Sequence, residues 1–244
     1  NVYYPHVNQS LAAKKHAVVI ATSYGHEATR AFRNLQQLAV QLAQAGFDVV
    51  RFDYAGTGDS DGGIERLSFR QWTNDVRSVV DASRLLPNVE RISLLGVRLG
   101  ANVIASAEIP HVEHFVAWDP VLKGAAYVDG IKNMHAEETS GLNRYLRVRD
   151  LGREEMLGYP WPYTLECDAI AMAWPPKHSV DAKHKAWIVT DSERSEMARI
   201  QPGADWNVRS NADEIYWNCL MYANSAFASP NTSRTIIQLL NGEG

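Results

Sequence analysis

Cysteine, surplus charge and long apolar runs are all scarce in this chain, and each shortage excludes something. Only Cys167 and Cys219 occur in 244 residues. A chain of this length buries enough core to fold without a disulfide, so a reducing compartment, the cytoplasm, is expected. The apolar stretches fall well short of the roughly 20 residues that cross a bilayer. Asn1–His6 lacks the basic-then-apolar pattern of an export signal. The formal charge is −4, from 24 basic and 28 acidic side chains. That balance gives no electrostatic reason to expect nucleic acid or an anionic membrane as partner. Gly56–Gly63 lacks the G-K-[ST] ending of a phosphate loop. Asp59 and Asp61 lack the later ligands of a calcium loop, and the His and Cys spacings make no zinc set. Neither a metal nor a cofactor is expected.

What is present is an alternation of buried strands and amphipathic helices. Ala17–Ala21 (AVVIA) reads as a strand covered on both faces. Ser23-Tyr24-Gly25-His26 breaks it, and Ala31–Ala45 carries Leu35, Leu38, Ala39 and Leu42 at helical spacing, stopped by Gly46. Phe47–Tyr54 is the next strand, followed by a loop at Gly56–Gly63 in which glycine and aspartate suit irregular torsions. Phe69–Leu86 is a helix, Arg91–Leu95 a strand, Ala101–Glu108 a helix and Phe115–Trp118 a strand ended by Asp119-Pro120. Residues 121–183 are richer in charge, Tyr, Trp and Pro. They predict a cap inserted over the sheet, with helices near Ala125–Ala136 and Leu142–Leu157. Ala186–Thr190 is a late strand and Thr232–Leu240 a last helix. The fold class is α/β: one domain over 1–244 with a mostly parallel sheet, helices on both faces and a helical cap.

Residues 92–104, ISLLGVRLGANVI, run from an apolar strand through a G-x-x-x-G turn into an apolar helix. In α/β-hydrolases that turn is the nucleophile elbow, G-x-S-x-G. Together with GFDVVRFDYAGTGDSDG and VAWDPVLKGAAYVDGI, it resembles the α/β-hydrolase superfamily over roughly residues 15–132. The subgroup it looks like comprises serine-aminopeptidase-like proteins, including the exosortase-system-associated "hydrolases" and those encoded beside polyketide and peptide biosynthesis genes. The resemblance implies the hydrolase fold and an elbow in which arginine is normal. It supplies no agreed reaction, because fold alone does not fix chemistry.

The residue at the centre of the turn is Arg98. A guanidinium stays protonated and cannot attack a carbonyl. Triad order in this fold is nucleophile, acid, then histidine. Asp191 or Glu193 is available as acid, but all eight histidines lie at or before His184. The sequence therefore predicts a protein without a serine triad. Arg98, with the backbone N–H groups at the helix start that include Leu99, would make an anion receptor. Ser23, Tyr24 and Gly25 occupy the place of the oxyanion loop, and Asp119, His26 and Asp191 complete the candidate site. The same arginine also fits an internal ion pair with Asp119 or Asp191. The expected partner is a small anionic acyl, peptidyl or polyketide-type metabolite. A non-hydrolytic isomerase, lyase or epimerase, a non-catalytic partner protein and a hydrolase with a differently placed triad stay open on the residues alone. His135, Tyr127 and Trp118 are further candidates for lining the pocket, while Asp53 and Asp59 are expected to fix a tight loop.

Overall fold

The AVVIA run is apolar throughout because both of its faces are covered. Ala17, Val19 and Ala21 join a core on one side of the sheet, and Val18 and Ile20 join a second core on the other. The same two-residue alternation divides Leu94 from Leu95 and Ala117 from Val116. The computed structural model describes residues 2–3, 14–87, 89–140, 154–176, 180–190, 200, 205–222 and 225–242.

The sheet is built from β1 (Val2–Tyr3), β2 (His16–Ala21), β3 (Asp48–Arg51), β4 (Arg91–Val97), β5 (Val112–Trp118), β8 (Ala182–Thr190) and β9 (Trp206–Asn211). Its spatial order is β1-β3-β2-β4-β5-β8-β9, and every pairing but β1–β3 is parallel. Helices α1 (Gly25–Gln44) and α6 (Pro230–Asn241) supply one core through Leu35, Leu38, Leu42, Ile236 and Leu240. Helices α2 (Phe69–Arg84) and α3 (Leu99–Ser106) supply the other through Trp72, Val76, Val80 and Val103. Between β5 and β8 lie α4 (Gly124–Ser140), the short antiparallel pair β6 (Glu155–Met156) and β7 (Tyr159–Pro160), and α5 (Tyr163–Ile170).

Several local readings are corrected. Helix α1 begins at Gly25, not Ala31, so His26 is helical rather than in a loop. Gly25 takes φ 64°, which a glycine adopts without penalty. The helix expected over Leu142–Leu157 ends differently: Glu155–Met156 is a strand, and 142–153 lie outside the described residues. His135 fixes that hairpin, its Nδ1 accepting the Leu157 N–H at 3.0 Å. Strand β9 was unforeseen, because only Trp206 and Val208 in it are apolar. Helix α6 is capped by Asp213, whose carboxylate accepts from the Thr232 N–H and hydroxyl, both at 2.7 Å. Among the described residues no helix is long and apolar enough to cross a membrane.

The amino-terminal half of the sheet holds a polar chain, buried at His16, Ser93 and His114. His16 Nε2 meets Ser93 Oγ at 2.7 Å, Ser93 Oγ meets His114 Nδ1 at 3.2 Å, and the His114 ring stacks on His184 at 4.9 Å. Burial, helped by the charges of Arg91 and His114, lowers the His16 pKa from 6.5 to about 4. The unfolded chain thus takes up this proton near pH 6.5 and the folded chain only near pH 4. Stability is full above the upper value and is expected to fall as pH drops through that window, by up to roughly 3 kcal/mol. Urea midpoints at about pH 7 and about pH 5 measure it. His16→Gln should flatten the dependence, and an unchanged slope in that variant would refute the assignment.

Candidate functional site

The turn between β4 and α3 is tight because its glycines leave no room for a side chain. A Cβ on Gly96 would lie 2.4 Å from the Ala101 Cα, and one on Gly100 would lie 2.3 Å from the Ala21 carbonyl oxygen. Between them Arg98 takes φ 52° and ψ −125°, a strained conformation for a side-chain-bearing residue. Its own N–H is tied to the Trp118 carbonyl at 3.0 Å, which joins the turn to β5. Asn102 on α3 clamps the segment after β5, exchanging two 3.0 Å hydrogen bonds with the Val121 backbone.

The Arg98 side chain is buried and does not pair with the Asp119 carboxylate. Its Nε donates to Glu27 Oε1 at 2.9 Å, and its Nη1 donates to the Asp119 backbone carbonyl at 3.1 Å. The rings of Trp217 and Tyr127 lie 5.4 and 5.8 Å from the guanidinium carbon. Glu27 is fully buried, and its second oxygen accepts from the Ser23 hydroxyl at 2.5 Å and from the Tyr127 hydroxyl at 3.2 Å. Burial alone would raise the Glu27 pKa. The positive charge of Arg98, reinforced by His26 and the Ser23 hydrogen bond, outweighs it and holds the carboxyl below its usual range.

Asp119 has a separate set of partners. Oδ1 accepts the Thr190 N–H at 2.9 Å, and Oδ2 accepts the Thr190 hydroxyl at 2.7 Å and the Trp217 indole N–H at 2.8 Å. Burial raises its pKa, partly countered by those hydrogen bonds and by the charge of Arg98. His26 is buried, neither solvated nor exposed, with Nε2 3.3 Å from the Trp217 carbonyl oxygen. Desolvation lowers its pKa. Arg30, also on α1, holds the Trp217 segment, donating to the carbonyls of Tyr216, Trp217 and Ser225.

The structure thus brings Ser23, His26, Arg98, Leu99 and Asp119 together at the carboxyl ends of β2, β4 and β5. Tyr24 and Gly25 face the neighbouring cavity, and Asp191 lies outside the described residues. Sequence reasoning missed Glu27 and Trp217. Glu27 carried a signal: with Ala31, Leu35, Leu38 and Leu42 it lies on the buried stripe of α1, where an unpaired carboxylate is costly. Trp217 carried none. Tyr127 lies on the Glu27 carboxylate, and Trp118 is a core residue. Asp53 and Asp59 close their loop on each other, Asp53 Oδ2 accepting the Asp59 N–H at 3.3 Å. Among the described residues no cluster of His, Cys, Asp or Glu is arranged to hold a metal.

Fold and site together define an α/β-hydrolase, and the chain belongs to the serine aminopeptidase S33 family, whose model matches residues 12–158. Palmitoyl-protein thioesterase ABHD10, a mitochondrial protein, is similar over a shorter stretch. The Bos taurus protein is 35% identical over 86 residues, 35% of this chain and 26% of that one. The Homo sapiens protein is 36% identical over 72 residues, 30% and 22% of the two chains. The match therefore spans about a quarter of the length of these curated relatives. Among solved structures, Est1E from Butyrivibrio proteoclasticus with ferulic acid bound superposes with a TM-score of 0.63 at 14% identity, covering 99% of this chain and 92% of that one. The mouse α/β-hydrolase domain-containing protein 10 gives 0.53 at 17%, covering 93% and 88%. At such identities these two likenesses show the fold.

Proposed function

We propose that this chain uses the hydrolase scaffold to bind a small anionic acyl-type molecule and does not hydrolyse esters or thioesters through a serine triad. The observation that carries the non-hydrolytic part of the reading is Arg98, a permanent cation at the strand-to-helix turn where enzymes of this fold hold their nucleophile. Its surroundings agree. The ring N–H that meets the Asp119 carboxylate belongs to Trp217, and an indole donates but has no lone pair with which to take a proton. Glu27 already neutralises Arg98, so that guanidinium does not serve as the receptor for a ligand's charge. Binding then falls to the Ser23–Gly25 segment beside it, which lines an open cavity.

A fluorophosphonate probe and a long-chain acyl thioester, chosen because the curated relatives are named as thioesterases, test the reading. The expected result is no stoichiometric labelling and no turnover above a heat-treated control. Stoichiometric labelling with turnover proportional to protein would overturn it. One contact favours a second reading: the 2.5 Å hydrogen bond from Ser23 to Glu27 makes Ser23 the hydroxyl to look for if a label appears. Arg98 holds Glu27 below the usual carboxylate range, however, which makes it a weak base for that task.

A further inference from the structure

A cavity of about 910 Å³ opens beside the Ser23–Gly25 segment. Its walls are the carboxyl ends of β2 and β3, the first half of α1, the β3–α2 loop and the β7 residues Tyr159 and Pro160. None of Glu27, Arg98, Asp119, Tyr127 or Trp217 lines it, so it is a separate space from the buried ion pair. The size is that of a site for a small organic ligand.

Aromatic carbon dominates the wall. Tyr24, Phe32, Phe52, Tyr54 and Tyr159 supply rings. The three phenol hydroxyls are engaged within the protein: Tyr24 donates to the Pro160 carbonyl at 2.6 Å, Tyr54 donates to the Thr22 carbonyl at 3.2 Å, and Tyr159 shares a 2.6 Å hydrogen bond with Thr29. Those contacts leave ring carbon as the surface a ligand meets. The rings stand at steep angles to one another: Phe52 meets Tyr54 at 5.1 Å and 80°, and Tyr24 meets Tyr159 at 6.3 Å and 68°. Trp72 backs the wall, 4.9 Å from Tyr54 and 5.3 Å from Tyr24, and braces both rings. Crossed rings offer faces and edges together, which an aromatic guest matches through its own quadrupole and a saturated guest does not.

The charges of the wall are balanced. Arg33 and Arg51 are matched in number by Asp53 and Asp59, and the described lining holds no further charged side chain. Arg51 is already engaged, its guanidinium 5.0 Å from the Phe32 ring. Asp53 is turned into its own loop, against Gly58 and the Asp59 N–H. Arg33 and Asp59 are exposed, where water and salt screen them. Neither sign of charge is in surplus for a ligand to meet. An uncharged body, by contrast, gives up no strong hydration when it leaves water for ring carbon.

We infer that this cavity takes the uncharged aromatic body of a ligand and recognises it by ring contact, not by charge. The inference rests on the binding reading given above and goes beyond it: an acidic group on the ligand stays in water at the mouth of the cavity. Isothermal titration calorimetry on the full chain with naphthamide, naphthoate and decahydronaphthamide tests it. Naphthamide should bind saturably, with an affinity within about fivefold of that of naphthoate. It should bind at least about threefold more tightly than its saturated counterpart. Phe32→Ala removes a ring that is 54% exposed and should weaken naphthamide by about threefold or more. Ala28→Trp, which fills the cavity, should abolish binding, and thermal melting shows whether each variant is folded. No saturable binding of naphthamide, a larger gap between amide and carboxylate, or no preference for the aromatic ring would each overturn the inference. So would unchanged affinity in folded Phe32→Ala, or binding that survives in folded Ala28→Trp. Its failure is separable from that of the non-hydrolytic reading. A chain that turns over thioesters yet binds naphthamide here loses only the latter, and one that does neither loses only this inference.

Discussion

Arg98→Ala should lower the free energy of unfolding by about 3–5 kcal/mol, the cost of leaving one member of a buried ion pair without the other. The carboxylate left behind is Glu27, fully buried and holding hydrogen bonds from Ser23 and Tyr127. Those two hydroxyls cannot replace a full positive charge. The double variant Arg98→Met with Glu27→Gln should recover a substantial part of the loss, because it removes both charges, fills the volume and keeps an acceptor for the hydroxyls. Urea unfolding of the parent, Arg98→Met, Glu27→Gln and the double variant measures the coupling. A double variant as unstable as the sum of the single ones would show that packing, not charge pairing, is what Arg98 contributes. The φ of 52° is a strain that alanine keeps; only a glycine at 98 would relieve it, by roughly 1–3 kcal/mol.

Gly100→Ala should be as damaging, by a different cause. The added methyl would sit 2.3 Å from the Ala21 carbonyl oxygen and 2.5 Å from that of Thr22, both backbone atoms at the end of a central strand. Backbone there cannot yield without displacing β2, so a loss of about 3 kcal/mol or more is expected. Gly130→Ala on α4 is the control. Nothing lies within 4 Å of its added methyl, and helix propensity predicts a gain of about 0.5–1 kcal/mol. Thermal melts of both variants decide the matter. A Gly100→Ala protein melting with the parent would mean that the elbow relaxes freely.

The fold was legible where burial writes a simple pattern. AVVIA, ISLLG and the stripe of α1 each report a face or two faces covered by neighbours, and the G-x-x-x-G turn reports a steric demand. Strand β9 was not legible because it lies at the sheet's edge, is only partly buried, and carries just Trp206 and Val208 as apolar residues. The β6–β7 hairpin was hidden for a related reason, since two-residue strands leave no periodicity to read. At the site, the sequence displayed the cation but not its partner. Glu27 and Arg98 are 71 positions apart, and Trp217 and Asp119 are 98 apart. Such pairings are set by which strand carboxyl ends become neighbours. The buried acid on the α1 stripe was the one clue within reach, and it pointed to a counter-charge without saying which.

The Glu27–Arg98 pair also sets a rule for substitution. Changing Arg98 alone to serine would strand an anion in a dry pocket, so the two positions tolerate exchange only in concert. A single change at either one passes through a protein less stable than the intact pair.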